Sequence, residues 1–377
     1  MPSKIPHREE EIKSISNILA PALRGYQPSN LFIYGTVGTG KTISIRYVLS
    51  QLEEISKGRG IRTVYINCKM KKVSDTEYRL LAQLLKEIGE FVPETGLPTH
   101  LLYRRFFEKI DEKKQTIILV LDEIDSLYKK IGDDFLYNLT RVNGEMKNAT
   151  ITLVGITNDL SFRDNLDARI KSSLSDEEII FKPYDALQLK DILAQRVSEG
   201  VIEDTISEEI ISMCAAMAAQ EHGDARRAID LLRVAGEVAE RLGDSQITYK
   251  HVELAEEKID MDRVTETIKL QPKQSQAVMY SIIKLQEKYG SQKKWADTRM
   301  LTGDIYEMYK EVCARNNLKT LTQRRVSDLI GELDMLGVIT AKVISKGRYG
   351  RTREVVLAIN DTILQRVNSM LVERLGN

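Results

Sequence analysis

The stretch Gly35-Thr36-Val37-Gly38-Thr39-Gly40-Lys41-Thr42 decides the fold of this 377-residue chain. It follows the apolar run Leu31–Tyr34 and precedes a segment with helical spacing that extends to about Ile55. A strand, a glycine-rich turn, Gly-Lys-Thr and a helix are the parts of a P-loop, in the order that phosphate binding requires. Glycines let the backbone curl so that its N–H groups point at phosphate oxygens, and the helix adds the positive end of its dipole. The stretch therefore predicts a nucleoside triphosphate site.

Two side chains of this P-loop have separate tasks. Lys41 can reach the β- and γ-phosphates, and the hydroxyl of Thr42 can ligate magnesium. The alternative is a chance glycine-rich turn, but such a turn would not be flanked by both a buried strand and a helix. We therefore expect ATP or ADP, together with Mg²⁺, as the cofactors.

A second buried strand ends in two carboxylates. Thr116–Leu121 is continuously apolar, as in a parallel strand buried on both faces, and Asp122 and Glu123 follow directly. Ligands of open α/β sheets bind at the carboxyl ends of the strands. We predict that Asp122 holds the magnesium shell and that Glu123 polarises the water that attacks the γ-phosphate. The alternative is an Asp-Glu pair at the surface.

Two polar side chains follow the next buried run, Thr150–Thr157. Asn158 ends this run, and its amide can contact the γ-phosphate or align the attacking water; a turn-forming residue is the alternative. Arg169 lies further along, in Leu166–Leu174. It can be an arginine finger offered to a neighbouring subunit's nucleotide, or a surface residue of a helix cap, and its spacing leaves both possibilities open.

The chain becomes all-helical between Asp185 and about Asp260. One of these helices opens with Gly-Asp-Ala followed by Arg226 and Arg227. This order puts two positive charges into a first helical turn, where the helix dipole disfavours them. A triphosphate is a candidate partner for these charges, and a salt bridge to an acidic side chain is the alternative.

Charge is distributed unevenly along the chain. The formal net charge is zero, but residues 272–377 contain 18 Lys/Arg and 11 Asp/Glu, a net of +7, whereas residues 1–271 contain 37 and 44, a net of −7. A basic C-terminal third is typical of a DNA-binding module, and a solvated basic face is the alternative. No apolar run approaches the ~20 residues that span a bilayer, and no signal peptide pattern is present. We expect a cytoplasmic, nucleoid-associated protein with no membrane partner.

The C-terminal third has the pattern of a winged helix-turn-helix domain. Helical apolar spacing occurs in Lys273–Tyr289, Thr302–Arg315 and Thr322–Leu336. Val338–Ser345 and Glu354–Ile359 then alternate like two strands of a hairpin. Three helices followed by a hairpin is the element order of that DNA-binding module.

The third of these helices has one apolar side. Its core-facing residues are Val326, Leu329, Ile330, Leu333 and Leu336. Arginines on the opposite side can contact guanine edges or phosphates in the major groove. Gly331 would let this side approach DNA closely, and Asp328 can pair with Arg324 four residues earlier.

The hairpin tip is strongly basic and can flank the minor groove, although a solvated hairpin is the alternative. Residues of the third helix and of this tip are therefore candidates for DNA contact. The candidate DNA-binding residues are Thr322, Arg324, Arg325, Ser327, Lys346, Arg348, Tyr349, Arg351 and Arg353.

These motifs together resemble a known family. The P-loop, the Asp-Glu pair, Asn158 and the Gly-Asp-Ala-Arg helix are similar to Walker A, Walker B, sensor 1 and sensor 2 of AAA+ ATPases. Ile5–Glu9, Leu166–Leu174 and Gly223–Asp230 resemble one branch, the archaeal (Cdc6-like) replication initiators related to the largest subunit of the origin recognition complex and to the helicase loader of eukaryotes. The likeness spans nearly the whole chain. The fold class it implies is an α/β AAA+ P-loop ATPase body with a helical lid, plus a C-terminal winged helix-turn-helix domain.

The resemblance also implies roles for individual residues. Arg169 would be the arginine finger, Arg226 the sensor 2 arginine, and an insertion within Lys69–Arg105 would touch DNA. The residues that would border the nucleotide's adenine are Pro6, His7, Arg8 and Tyr184. The predicted domains are the nucleotide-binding domain (1–184), the lid (185–262), a linker (263–272) and the winged-helix domain (273–377).

The function implied by the resemblance is ATP-dependent initiation of replication. Such a protein binds duplex DNA at replication origins, helps recruit or load the replicative helicase, and works with paralogous initiator subunits, with slow ATP hydrolysis as a switch. One alternative is a DNA motor such as a branch-migration helicase. It would need an extra DNA-engaging hairpin, but only 32 residues separate Asp125 from Asn158. A nucleotide-gated transcription regulator built from the same domains is the other alternative.

Overall fold

The computed structural model describes residues 5–57, 60–69, 75–93, 95–174, 176–200, 205–290, 299–345 and 351–375. The chain divides into two compact units, Met1–Thr248 and Tyr249–Asn377. The first unit contains a parallel sheet covered by helices, and the second contains a small antiparallel sheet with its own helices. Within these described ranges, no helix combines the length and the apolar character that a membrane span requires.

The first unit is built on a five-stranded parallel sheet. Its strands are β1 (Asn30–Gly35), β2 (Ile61–Asn67), β3 (Gln115–Asp122), β4 (Ala149–Thr157) and β5 (Asp176–Phe181). They lie in the order β2-β3-β4-β1-β5, and all pairs are parallel. The carboxyl ends therefore share one edge, where the ligands of such sheets bind. The P-loop after β1, Asp122 at the end of β3 and Asn158 after β4 meet at this edge, and the predicted α/β class is confirmed.

Helices cover both faces of this sheet. The helices of the body are α1 (Glu9–Leu19), α2 (Lys41–Ile55), α3 (Glu77–Glu87), α4 (Thr99–Asp111), α5 (Ile124–Ile131), α6 (Asp134–Arg141) and α7 (Ala168–Leu174). The helices of the lid in this unit are α8 (Ala186–Gly200), α9 (Glu208–Glu221) and α10 (Ala225–Leu242). Phe32 and Tyr34 of β1 pack in a core with α3 to α7, whereas Leu31 and Ile33 pack with α1 and α2 on the opposite face. This burial on both faces explains the continuously apolar strands.

The segment between β3 and β4 is short and helical. It contains α5, α6 and a 3₁₀ turn, Val142–Gly144, and the structure describes every residue of it. No strand occurs between Asp122 and Ala149 in this fully described segment. The chain therefore has no room there for the additional hairpin that a DNA motor would need.

The second unit has the element order of a winged helix domain, as predicted. Its helices are α11 (Tyr249–Lys269), α12 (Lys273–Gly290), α13 (Thr302–Arg315), α14 (Gln323–Met335) and α15 (Asp361–Leu375). Its strands are β6 (Met300–Leu301), β7 (Ile339–Ser345) and β8 (Arg351–Leu357). They form an antiparallel sheet in the order β6-β8-β7. The sequence pattern predicted neither β6 nor α15.

Helix α11 is longer than predicted. The sequence pattern predicts an end near residue 260, but the helix continues to Lys269, so most of the predicted linker 263–272 is helical. The extra turns are stabilised by packing, because Met261, Val264 and Ile268 continue the helical apolar spacing and contact the core of the second unit.

The apolar side of α14 faces the same core. Val326, Leu329, Ile330 and Leu333 are buried, as predicted. The prediction for Leu336 was wrong: this residue is 40% exposed, because α14 ends at Met335 and Leu336 is already its C-cap.

Candidate functional site

The P-loop lines a cavity of about 410 Å³ in the first unit. Gly40 is the N-cap of α2 with a φ of 90°, and a Cβ there would lie 2.7 Å from the hydroxyl of Tyr184. Gly38 has a φ of 74°, and the carboxylate of Asp224 occupies the space that a side chain at position 38 would need. Both positions require glycine, because the left-handed backbone and the close contacts exclude a Cβ.

Lys41 connects the P-loop to the end of β4. Its ammonium donates to the carbonyl oxygens of Gly35 (2.8 Å) and Thr36 (2.7 Å) and to Oδ1 of Asn158 (2.9 Å). Burial lowers the pKa of Lys41 to about 8, and the positive charge of Arg226 acts in the same direction. A buried cation beside a second cation is a favourable environment for an anionic ligand.

Asp122 is held by three donors at the end of β3. Its Oδ2 accepts from the hydroxyls of Thr42 (2.9 Å) and Tyr65 (2.5 Å), and its Oδ1 accepts from the N–H of Glu123 (3.0 Å). Burial, followed by the hydrogen bond to Asp122, raises the pKa of Tyr65 to about 12, so this phenol is a donor at neutral pH. The predicted magnesium ligands Thr42 and Asp122 are thus adjacent.

Glu123 occupies a strained position between β3 and α5. It is the N-cap of α5 with a φ of 57°, a left-handed conformation that non-glycine residues adopt rarely. Its carboxylate lies 3.5 Å from the ammonium of Lys69. The residue lines the cavity beside Asp122, where the sequence analysis placed the general base.

The first turn of lid helix α10 contacts the P-loop. The N–H of Ala225 donates to the carbonyl oxygen of Gly38 (3.2 Å), and the side chain of Asp224 caps the helix by accepting from the N–H of Arg226 (2.8 Å). The two arginines of this turn differ. Arg226 lines the cavity, whereas Arg227 forms two 3.0 Å contacts with Glu221. The salt-bridge alternative therefore applies to Arg227.

Arg8 fastens the N-terminal segment to the P-loop and to the end of β5. Its guanidinium donates to the carbonyl oxygens of Thr39 (2.9 Å) and Lys182 (2.6 Å), pairs with Glu11 (2.9 Å), and stacks 3.9 Å from the ring centroid of Tyr184. It is only 3% exposed. The guanidinium of Arg8 thus has protein partners, and Arg8 lies behind the residues that line the cavity.

The remaining predicted nucleotide contacts separate into two groups. Pro6, Tyr184, Arg226 and the P-loop from Val37 to Thr42 line the cavity, as do Asp122, Glu123 and Asn158. The predicted residues that do not line it are His7, Arg8, Gly35, Thr36 and Arg169. His7 instead contacts Asp191 of the lid at 2.9 Å.

Several residues that line the cavity carry no motif that marks them in the sequence. They are Ile5, Ile43, Arg46, Ile192, Gln195, Arg196, Ala225 and Ile229. Ile192, Gln195 and Arg196 are spaced i, i+3, i+4 and share one face of α8. This spacing was visible in the sequence, but only the folded lid shows that the shared face borders the cavity.

Arg169 lies on α7, outside the cavity of its own chain. Its side chain is 74% exposed, its Nε lies 3.0 Å from Asp167, and its guanidinium lies 5.8 Å from the ring centroid of Tyr137. An arginine finger for a neighbouring nucleotide and a surface arginine would both have this placement, so its role stays a prediction.

The predicted DNA-binding face lies in the second unit, at the start of α14. Thr322 accepts the N–H of Arg325 (3.4 Å) and caps the helix. Arg324 and Ser327 line a groove of about 440 Å³ together with Arg353 of β8. The predicted pairing of Asp328 with Arg324 was wrong. Asp328 lies 4.0 Å from Arg325, since positions three apart are also neighbours on a helix.

Gly331 makes room for a protein side chain. A Cβ at this position would lie 2.8 Å from Nη1 of Arg353, so the guanidinium of Arg353 covers the place where DNA was expected to approach. Backbone atoms of Arg353 are in turn held by the hydroxyl of Thr302 (3.2 and 3.4 Å). The other predicted wing contacts, Lys346, Arg348 and Tyr349, lie outside the described residues, as does the side chain of Arg351.

Comparisons with known proteins decide the family. Matching family models are the AAA domain (residues 24–163), the Cdc6 AAA+ ATPase-type lid domain (190–257) and the CDC6, C terminal winged helix domain (266–367). The ORC1-type DNA replication protein of Pyrococcus furiosus is 49% identical over 372 residues, which cover 97% of this chain and 86% of the relative. ORC1-type DNA replication protein 1 of Methanosarcina mazei is 50% identical over 360 residues (95% and 85%). The chain belongs to the ORC1-type DNA replication proteins.

A solved structure of an ORC1-type protein agrees with this assignment. The Aeropyrum pernix ORC1 protein in complex with DNA is 42% identical to this chain, with a TM-score of 0.83 over 99% of this chain and 95% of that one. The family resemblance drawn from the sequence motifs is therefore confirmed, as is the fold class. As an AAA+ protein, the chain binds a nucleotide. The motor and the transcription regulator are not favoured by these relatives.

We predict that Arg8→Lys destabilises the chain by about 2–4 kcal/mol. Lysine cannot donate to both carbonyl oxygens or stack on Tyr184 in the same way, so buried acceptors lose their partner. Urea denaturation followed by circular dichroism measures the change. The control is Arg233→Lys, an exposed arginine paired with Asp230 and Glu237, for which we expect a change within about 0.5 kcal/mol. Equal stability of the two variants would contradict the role of Arg8.

Proposed function

We propose that this ORC1-type protein is an ATP-dependent initiator that binds duplex DNA at replication origins and helps recruit or load the replicative helicase. The observation that carries the proposal is that one chain combines two sites. The first is the P-loop cavity, which the lid helix α10 contacts, and the second is a groove in the winged helix unit that is lined by arginines. The similar Aeropyrum pernix ORC1 protein was solved in complex with DNA, which supports DNA as a ligand of this chain.

ATP and Mg²⁺ are the proposed cofactors. Backbone N–H groups of the P-loop, Lys41 and Arg226 would hold the phosphates, and the apolar side chains of Ile5 and Pro6 would lie at the adenine. Magnesium prefers oxygen ligands, and the hydroxyl of Thr42 and the carboxylate of Asp122 supply them 2.9 Å apart. These residues fit the ion, which when bound would neutralise charge on the phosphates.

Hydrolysis would use the two side chains beyond the strand ends. The carboxylate of Glu123 lines the cavity next to Asp122 and would accept a proton from the attacking water. Asn158 would orient that water or the γ-phosphate through its amide. In this structure Lys41 donates to three protein oxygens. To bind a phosphate oxygen, it would have to give up at least one of these hydrogen bonds.

The lid would convert nucleotide state into a change of shape. Arg226 lies on α10, and the N–H of the preceding residue, Ala225, binds the carbonyl oxygen of Gly38 in the P-loop. Loss of the γ-phosphate would remove the partner of Arg226 and weaken the attachment of the lid. We therefore propose slow ATP hydrolysis as a switch rather than as a motor stroke.

The proposed partners are origin DNA, a neighbouring initiator subunit and the helicase. Arg169 exposes its guanidinium away from its own cavity, as an arginine that acts on the nucleotide of a second copy or of a paralogue would do. The insertion within Lys69–Arg105 is a further candidate DNA contact. We propose that the protein acts on the nucleoid in the cytoplasm.

We predict that Glu123→Gln retains ATP but slows its turnover by roughly 100-fold or more, since the amide cannot accept the proton of the water. Filter retention of radiolabelled ATP and single-turnover phosphate release measure the two effects. Lys41→Ala is the companion variant and should lose ATP retention itself. Turnover by the Gln variant at the rate of the unmodified protein would remove Glu123 as the base.

We predict that Arg324→Ala weakens binding to a preferred duplex by roughly 1–3 kcal/mol and binding to a scrambled duplex much less, because base contacts specify sequence whereas phosphate contacts do not. Fluorescence anisotropy with both duplexes gives the comparison. Arg366→Ala, which removes an exposed arginine from α15 of the same unit, is the control and should leave both affinities unchanged. Equal losses on the two duplexes would show that Arg324 contacts only phosphates.

A further inference from the structure

We propose that Tyr65 is a positioning residue for magnesium-dependent nucleotide binding: its hydroxyl holds the carboxylate of Asp122, and Arg46 holds its ring. This inference rests on the nucleotide and magnesium site proposed above. It assigns a role to two side chains that no sequence motif marked.

The sheet register brings Tyr65 to Asp122. In the pairing of β2 with β3, Asn67 lies opposite Asp122, and Tyr65 lies two residues earlier on β2. Side chains two residues apart on a strand share one face of the sheet. On that face Tyr65 packs with the core under α2, and its hydroxyl reaches Oδ2 of Asp122 at 2.5 Å. A hydrogen bond from a hydroxyl to an ionised carboxylate belongs to the charge-assisted class.

Tyr65 differs from the other donors to Asp122. Thr42 is itself a candidate magnesium ligand, and the third donor is the backbone N–H of Glu123. Tyr65 alone of these three reaches Asp122 from the neighbouring strand β2. It therefore fixes the rotation of the carboxylate independently of the P-loop and of the ion.

Arg46 completes the arrangement from α2. Its guanidinium carbon lies 4.1 Å from the ring centroid of Tyr65, in the range of a cation–π contact, and the residue lines the cavity one helical turn after Thr42. The aromatic ring, which is half-buried, is thus held against α2. Its hydroxyl has little freedom to turn away from Asp122.

The test compares nucleotide affinity with and without the metal. We expect Tyr65→Phe in the full chain to weaken binding of a fluorescent ATP analogue roughly 10-fold in Mg²⁺, as for the loss of one hydrogen bond to a charged group, and to leave binding in EDTA unchanged. The control is Tyr128→Phe, which removes a tyrosine hydroxyl donating to the carbonyl oxygen of Asn165 (2.9 Å) in the same unit. We expect this control to match the unmodified protein in both buffers.

A double-mutant cycle separates positioning from general support of the cavity. With Asp122→Asn in place, Tyr65→Phe should cause no further loss in Mg²⁺, because the carboxylate that it positions is gone. Equal losses in Mg²⁺ and EDTA, additive losses in the cycle, or no loss at all would each overturn the role of Tyr65. Binding by the unmodified protein that ignores Mg²⁺ would instead contradict the magnesium site itself, and with it this inference.

Discussion

The nucleotide site depends on the adjacency of three parallel strands. Because β3, β4 and β1 are neighbours, two side-chain contacts can join their ends: Lys41 to Asn158 at 2.9 Å and Thr42 to Asp122 at 2.9 Å. Lys41 is buried, and burial lowers its pKa to about 8, so the charged form depends on the oxygens to which it donates and on nearby carboxylates such as Asp122. The same environment favours a bound phosphate. The order of the strands thus positions the side chains that determine which ligand the cavity can bind.

The lid adds a second constraint to the same loop. The N–H of Ala225 donates to the carbonyl oxygen of Gly38, and the carboxylate of Asp224 fills the space that a side chain at position 38 would need. The P-loop and α10 therefore contact each other directly. A rearrangement of the P-loop around phosphates would therefore also move the first turn of α10. This contact would be the physical basis of the nucleotide switch that we propose.

The sequence predicted the parts of the site that directly follow a buried strand. The P-loop, Asp122 and Asn158 each follow a buried apolar run, so local patterns placed all three at one edge of the sheet. Contacts between distant segments were not visible. Tyr65 reaches Asp122 across 57 residues of sequence, and Gln195 borders the cavity only because the lid folds back. The contact at Gly331 was likewise not visible, since Gly331 lies on helix α14 and the side chain that covers it, Arg353, comes from strand β8.

An ATP-dependent initiator must select particular duplex sites when nucleotide is bound. This selection can be measured by capturing fragmented genomic DNA of the encoding organism with the purified, ATP-bound full chain and sequencing the recovered fragments. We expect a few sharp sites that are recovered far above the background. Uniform recovery of all fragments would show binding without sequence preference and would contradict the initiator function.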